Sequence, residues 1–124
     1  LPPLPEAGRL DLKAAQRDIG DIELFATMVS MLLAEWGDHL NRLNQALAAA
    51  DSPTLRIHAH TLKSLLAMFH AERARRLAMD LEKAAMAEER VDWPACQGLY
   101  GELADEMAQI YPLLKQFVDT RVIP

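Results

Sequence analysis

One of the four histidines in this chain, His60 in the run HAHTLKS, combines a residue type and a spacing suited to nucleophilic chemistry. Imidazole with an ordinary pKa near 6.5 is largely unprotonated at neutral pH, so an exposed ring nitrogen is a ready nucleophile toward a phosphoryl group. Lys63 follows three residues later on the same helical face, where a compact cation could screen the charge of a newly attached phosphate. Ser64 and Ala67 are small and would leave room for a second protein to bring a phosphorylated group in line with the ring. Arg56 shares this face. His58 points to another side, and His39 and His70 show no metal-ligand spacing with each other or with the lone cysteine, Cys96. No metal site is expected, because isolated histidines of this kind are ordinarily surface or packing residues.

These side chains need an element that turns one face outward. The spacing predicts a helix with a core stripe of Leu55, Ala59, Leu62, Leu66 and Phe69, at alternating steps of four and three. At about 100° per residue, Arg56, His60, Lys63, Ser64 and Ala67 fall on the opposite side. Ser52 or Asp51 caps its start and Pro53 occupies its first turn. Four further helices are expected and no strands. A short one runs from about Asp11 to Ile19 and ends at Gly20. A long one follows Asp21, with Phe25, Met28, Leu32, Trp36, Leu40, Leu43 and Leu47 in one stripe. Another spans about Glu72 to Glu88, with Ala74, Leu77, Leu81 and Ala84 inward. The last starts after Asp92, with Pro94 in its first turn and a stripe of Cys96, Leu99, Leu103, Met107, Ile110, Leu114 and Phe117. Pro112 falls inside that stripe and predicts a kink or break. Short connections favour antiparallel neighbours, so the expected fold is all-α: an up-and-down antiparallel four-helix bundle with a short N-terminal helix.

A chain of 124 residues, 51% hydrophobic, suits one domain with one core and no staple. The run LPPLPEAG reads as a proline-rich linker over residues 1–9, ahead of a bundle at 10–120 and a tail at 121–124; together with the absence of an initial methionine, it suggests a module of a longer protein. The methionines and Trp36 lie at or near core stripes and are expected to serve packing. One cysteine excludes an internal disulfide, and neither a membrane-spanning run nor a signal peptide is present, which fits a cytoplasmic setting. A net charge of -5 argues against nucleic acid as the main partner. No GxxxxGK[ST] loop and no acid cluster for magnesium occur, so any phosphoryl chemistry depends on a partner for its metal.

At this point the sequence resembles the histidine phosphotransfer (HPt) domains of bacterial multistep phosphorelays, whose hallmark reads H-x-L-K-G, an apolar stretch, and a second helix containing L-E. Here AHTLKS is followed by LLAMFHAERARRLAMDLEKA, with His60, Leu62, Lys63, Leu77, Leu81 and Glu82 in register. The resemblance, from about Asp11 to Val118, implies that His60 is the phospho-acceptor through the ring nitrogen distal to the backbone. It implies that Lys63 assists the phosphate and that Glu82 orients the ring through the other nitrogen. Ser64 stands where the family usually has glycine, and its hydroxyl is open to a phosphate contact or to a mild steric handicap. His70 replaces the glycine that commonly ends this helix, and histidine is among the residues that better tolerate a left-handed cap.

The implied partners are receiver domains, one of a hybrid kinase and one of a response regulator, each supplying its own magnesium; the domain itself would hold no cofactor and have no kinase activity. By the same resemblance the parent would be a hybrid sensor histidine kinase, membrane-anchored or not, with this domain at its C-terminus. Arg73, Arg75 and Arg76 follow the turn at the end of the site helix and are candidates for steering an acidic receiver pocket, beside the reading that they are a plain solvated face. Two rivals stand against the relay. The helix pair of a histidine kinase is disfavoured, because its box has an acidic residue and a proline where Thr61 and Leu65 stand here. A phosphate-inactive helical adaptor that binds receivers is the other.

Overall fold

The computed structural model describes residues 9–87 and 89–123, and every regular element among them is helical. The helices are α1 (Leu12–Ile19), α2 (Ile22–Ala34), α3 (Trp36–Ala48), α4 (Ser52–Met68), α5 (Glu72–Ala85) and α6 (Trp93–Thr120). Aspartates start α1, α2, α4 and α6: the carboxylates of Asp11, Asp21, Asp51 and Asp92 accept amide hydrogens of the first turn that have no partner within the helix. At α4 the cap is Asp51, which also accepts from the Thr54 hydroxyl at 2.6 Å, and Ser52 is the first helical residue. Helices α2 and α3 together form one arm of an up-and-down four-helix bundle, with α4 packed on α5, α5 on α6, α3 on α4, and both α2 and α3 on α6.

The long helix expected after Asp21 is divided. Glu35 adopts φ -97° and ψ 4°, and its amide is shared between the carbonyls of Met31 and Leu32, both at 3.2 Å. This tightened step carries Trp36 edge-on to Tyr111 of α6, with ring centroids 5.3 Å apart. The poor helix former Gly37 lies next to it. Two other boundaries differ from expectation. Helix α5 stops at Ala85, and Glu88 lies outside the described residues; the buried positions of α5 are Ala74, Ala78, Leu81 and Ala85, while Leu77 and Ala84 are half-buried. Of the kink or break expected at Pro112, the break does not occur, since α6 runs through it as one helix. Pro112 and Ala108, whose carbonyl loses its amide partner, are both exposed, so water is available to that carbonyl.

Helix α4 ends in a Schellman turn. The His70 amide bonds Ala67 at 3.1 Å and the Ala71 amide bonds Leu66 at 3.0 Å, with His70 left-handed at φ 53°. The His70 ring reaches Asp18 at 2.7 Å and its carbonyl accepts the Asp11 amide at 3.2 Å, which fastens α1 over this end of the bundle. Beneath α1, Phe25 stacks at a tilt against Phe69 and Phe117, with centroids 5.9 and 5.0 Å away. The turn after α3 repeats the Schellman pattern with Ala50 left-handed at φ 51°.

Two stability changes follow and are read by urea unfolding. Phe25→Ala removes the centre of the aromatic cluster and is expected to cost about 3–5 kcal/mol. Ala50→Gly relieves a left-handed backbone at an exposed position and is expected to add about 0.5–1 kcal/mol. A neutral outcome for Phe25→Ala contradicts the packing described, and a neutral outcome for Ala50→Gly contradicts the backbone strain assigned to Ala50.

Candidate functional site

The α4 stripe of Leu55, Ala59, Leu62 and Leu66 is completely buried, and Phe69 at the helix end nearly so. That orientation leaves His60 outward, its side chain 59% exposed. Antiparallel pairing with α5, whose Ala78 and Leu81 face the same core, brings Glu82 level with His60. Glu82 is only 13% exposed, and each of its carboxylate oxygens is engaged from α4: Oε2 lies 2.7 Å from His60 Nδ1, and Oε1 accepts from Lys63 Nζ at 2.7 Å. A carboxylate facing Nδ1 selects the tautomer with hydrogen on that nitrogen, because only an N–H can donate to it. The lone pair then resides on Nε2, the ring atom farther from the backbone.

Burial pushes the Glu82 carboxyl upward, but the hydrogen bonds from Lys63 and His60 outweigh it and hold the group below the usual carboxylate range. The site therefore keeps a charged acceptor under the ring at neutral pH. Lys63 does not stand free beside His60, as its spacing alone suggested; its ammonium is drawn down onto Glu82 and it is half-buried. Ser64 is exposed, and its hydroxyl donates to the carbonyl of His60 at 3.1 Å, turned back along its own helix. Ala67 is exposed one turn beyond Lys63.

His60 borders a shallow depression of about 320 Å³ that it shares with Arg56, Ile57, Thr61, Glu82 and Met86. Ile57 and Met86 are exposed apolar side chains that the sequence reading did not single out. The available signal for Ile57 was its place one turn before His60 on the non-core side. Among the arginines of α5, Arg73 and Arg76 line a different cleft, between α5 and α6. Arg75 lies on the same edge of α5 as Glu82, two turns earlier, and its guanidinium is engaged by Glu72. Among the described residues no group of three His, Cys, Asp or Glu side chains is placed to hold a metal ion, and no helix is long and apolar enough to cross a membrane.

Comparison with known proteins adds to this geometry. The model of the Hpt domain family matches residues 27–111, a span that contains α4 and α5 whole and with them His60, Lys63 and Glu82. The crystal structure of the HPT domain from the Hpt sensor hybrid histidine kinase of Shewanella has a similar fold, with a TM-score of 0.78 at 20% identity over 92% of this chain and 97% of that one. No curated protein sequence matches.

Two measurements check the site. Nitrogen-15 NMR of the His60 ring is expected to show hydrogen on Nδ1 and a bare Nε2 in the neutral form; the opposite tautomer contradicts the Glu82 contact. A depressed carboxyl pKa stabilises the folded state above the unfolded value and loses that contribution as pH falls through the folded one. The wild-type chain is therefore expected to be more stable than Glu82→Gln at pH 7, with the gap closing in thermal melts as pH drops below about 4.5, the ordinary glutamate value. A gap independent of pH contradicts the ionised pairing.

Proposed function

This chain belongs to the Hpt domain family, whose members carry phosphoryl groups between receiver domains in two-component phosphorelays, and from that premise we propose that His60 is the residue that carries the phosphate. The observation that supports it is the Nδ1 contact with Glu82, which leaves Nε2 as the bare nitrogen of a side chain that is 59% exposed. In the forward step the Nε2 lone pair attacks the phosphorus of an aspartyl phosphate on a receiver. The N–P bond forms, the acyl O–P bond breaks, and the receiver regains its carboxylate. No proton leaves the ring, so the phosphorylated imidazole carries positive charge, which the Glu82 carboxylate beneath it stabilises. The reverse step on a second receiver returns His60 to its starting state.

Lys63 has a long flexible stem, so its ammonium can swing from Glu82 toward a phosphate on Nε2 and offset its charge as a point cation. In-line approach needs an open face, which Ser64 and Ala67 provide. Arg56 and the exposed Ile57 and Met86 frame the docking surface, the arginine facing an acidic receiver pocket and the apolar pair adding area that becomes dry on contact. The chain brings one nucleophile and one screening cation. The receiver supplies magnesium and most of the charge neutralisation that phosphoryl transfer demands. The domain has no kinase activity of its own and serves a bacterial hybrid sensor histidine kinase as a cytoplasmic module. A phosphate-inactive adaptor gains no support, since the Ser64 hydroxyl is tied to the His60 carbonyl and does not block the ring.

Incubation with a labelled phospho-receiver is expected to label the wild-type chain, and His60→Gln is expected to remain unlabelled. Incubation with ATP and magnesium alone is expected to label neither. Labelling of His60→Gln, or of the wild type from ATP, contradicts the proposal. Lys63→Ala is expected to slow transfer about tenfold, the effect of losing a charge-assisted contact in the transition state, with helicity unchanged. An unaltered rate removes Lys63 from the transfer step.

A further inference from the structure

The depression beside His60 is lopsided. Arg56 and Ile57, on the α4 turn before His60, line it together with Met86 at the end of α5, whereas Lys63, Ser64 and Ala67, on the turns after His60, are not among its lining residues. Helix geometry accounts for this, because each Cα–Cβ bond tilts toward the helix N-terminus and carries the His60 ring over the turn that holds Arg56. A group added to the ring therefore has Arg56 as a neighbour one turn away, within reach of a long side chain. The two cations that flank His60 are also unequally committed. Lys63 gives its ammonium to Glu82 Oε1 at 2.7 Å and must break that contact to serve elsewhere. Arg56 is exposed, and the ion pairs of the site, His60–Glu82 and Lys63–Glu82, leave its guanidinium out.

A guanidinium can donate two parallel N–H bonds to a pair of phosphate oxygens, which an ammonium cannot. Ile57 and Met86 border the same space with exposed apolar surface, which keeps water from the flanks of such a contact. Resting on His60 as the phosphate carrier, we propose that Arg56 holds the phosphoryl group on Nε2 between encounters and protects it from hydrolysis. Hydrolysis breaks the N–P bond, returns its electron pair to Nε2 and joins phosphorus to the oxygen of water, both of whose hydrogens end on the phosphate product. In the loose transition state the departing group approaches metaphosphate, with one negative charge where the bound phosphoryl carries two. A cation on those oxygens favours the bound state over the transition state. The loss slows. During an encounter the receiver's magnesium takes over the oxygens, and Arg56 turns to the acidic pocket.

The test uses the whole chain, phosphorylated from a receiver and then separated from receiver and magnesium. Wild-type, Arg56→Ala and Arg56→Lys chains are followed for loss of label and, in parallel, by phosphorus-31 NMR across pH. Arg56→Ala is expected to lose its phosphate about threefold faster, the scale of one charge pair at an exposed site. The last ionisation of its phosphoryl group is expected at higher pH than in the wild type, because the cation that favours the dianion is gone. Arg56→Lys, which keeps the charge without the fork, is expected to restore part of the lifetime. Equal lifetimes and coincident titrations in wild type and Arg56→Ala overturn the proposal and leave His60 as the carrier. Slower labelling of Arg56→Ala by the receiver, with an unchanged lifetime, assigns Arg56 to docking alone and also overturns it. Absence of label on His60 overturns the carrier reading and the role of Arg56 with it.

Discussion

The carboxylate of Glu82 joins two helices through two side chains of α4. One oxygen holds the His60 ring by Nδ1 and the other holds the Lys63 ammonium, each at 2.7 Å. Those contacts require α4 and α5 to run antiparallel in a fixed register, and several features set it. Leu62 and Leu66 meet Ala78 and Leu81 in a dry core, and the Schellman turn at Phe69 to Ala71 reverses the chain with no intervening loop. A one-residue rotation of α5 would carry Glu82 about 100° from the ring and leave both α4 groups without their acceptor. The small side chains of Ala74 and Ala78 allow close approach of α5, which short hydrogen bonds between the helices demand.

A carrier faces opposing needs. The acceptor atom must be open enough for a partner's active site to close over it, yet its ring must not wander among tautomers and rotamers. Under the function proposed for His60, exposure and order fall to different atoms of one side chain: Nδ1 is held by a shielded carboxylate, and Nε2 is the free nitrogen of a ring that is largely exposed. The rest of the bundle stays chemically quiet. Among the described residues its core is apolar apart from Glu106; its lone thiol, Cys96, is buried, and burial raises that thiol's pKa, which suppresses the reactive thiolate.

Much of this was legible in the sequence, because amphipathic periodicity and aspartate caps are local signals. The α4 stripe, the outward His60 face, the starts of α4 and α6 and the stop at Gly20 all follow from short-range rules, and the bundle follows from helix order. What was not legible depended on contacts across helices. The division at Glu35 reflects Trp36 seeking Tyr111, a partner 75 positions away in the chain. Pro112 leaves α6 whole because it happens to face water. Lys63 reads as a free cation until the position of Glu82 is known. The arginines of α5 look like one cluster in sequence, but the helix divides them, with Arg73 and Arg76 at the α6 cleft and Arg75 on the α4 side. The hydroxyl of Ser64 was ambiguous until its bond to the His60 carbonyl was seen. His70 in the usual glycine position does adopt the left-handed backbone.

The central claim is that Glu82 fixes which atom of His60 is free to react. Its most direct test is to phosphorylate the chain from a receiver and locate the phosphate by phosphorus-31 and nitrogen-15 NMR of the modified ring. Phosphate bonded to Nε2 of His60, with Nδ1 still carrying hydrogen, is the predicted result. Phosphate on Nδ1, or on any other side chain, would contradict it.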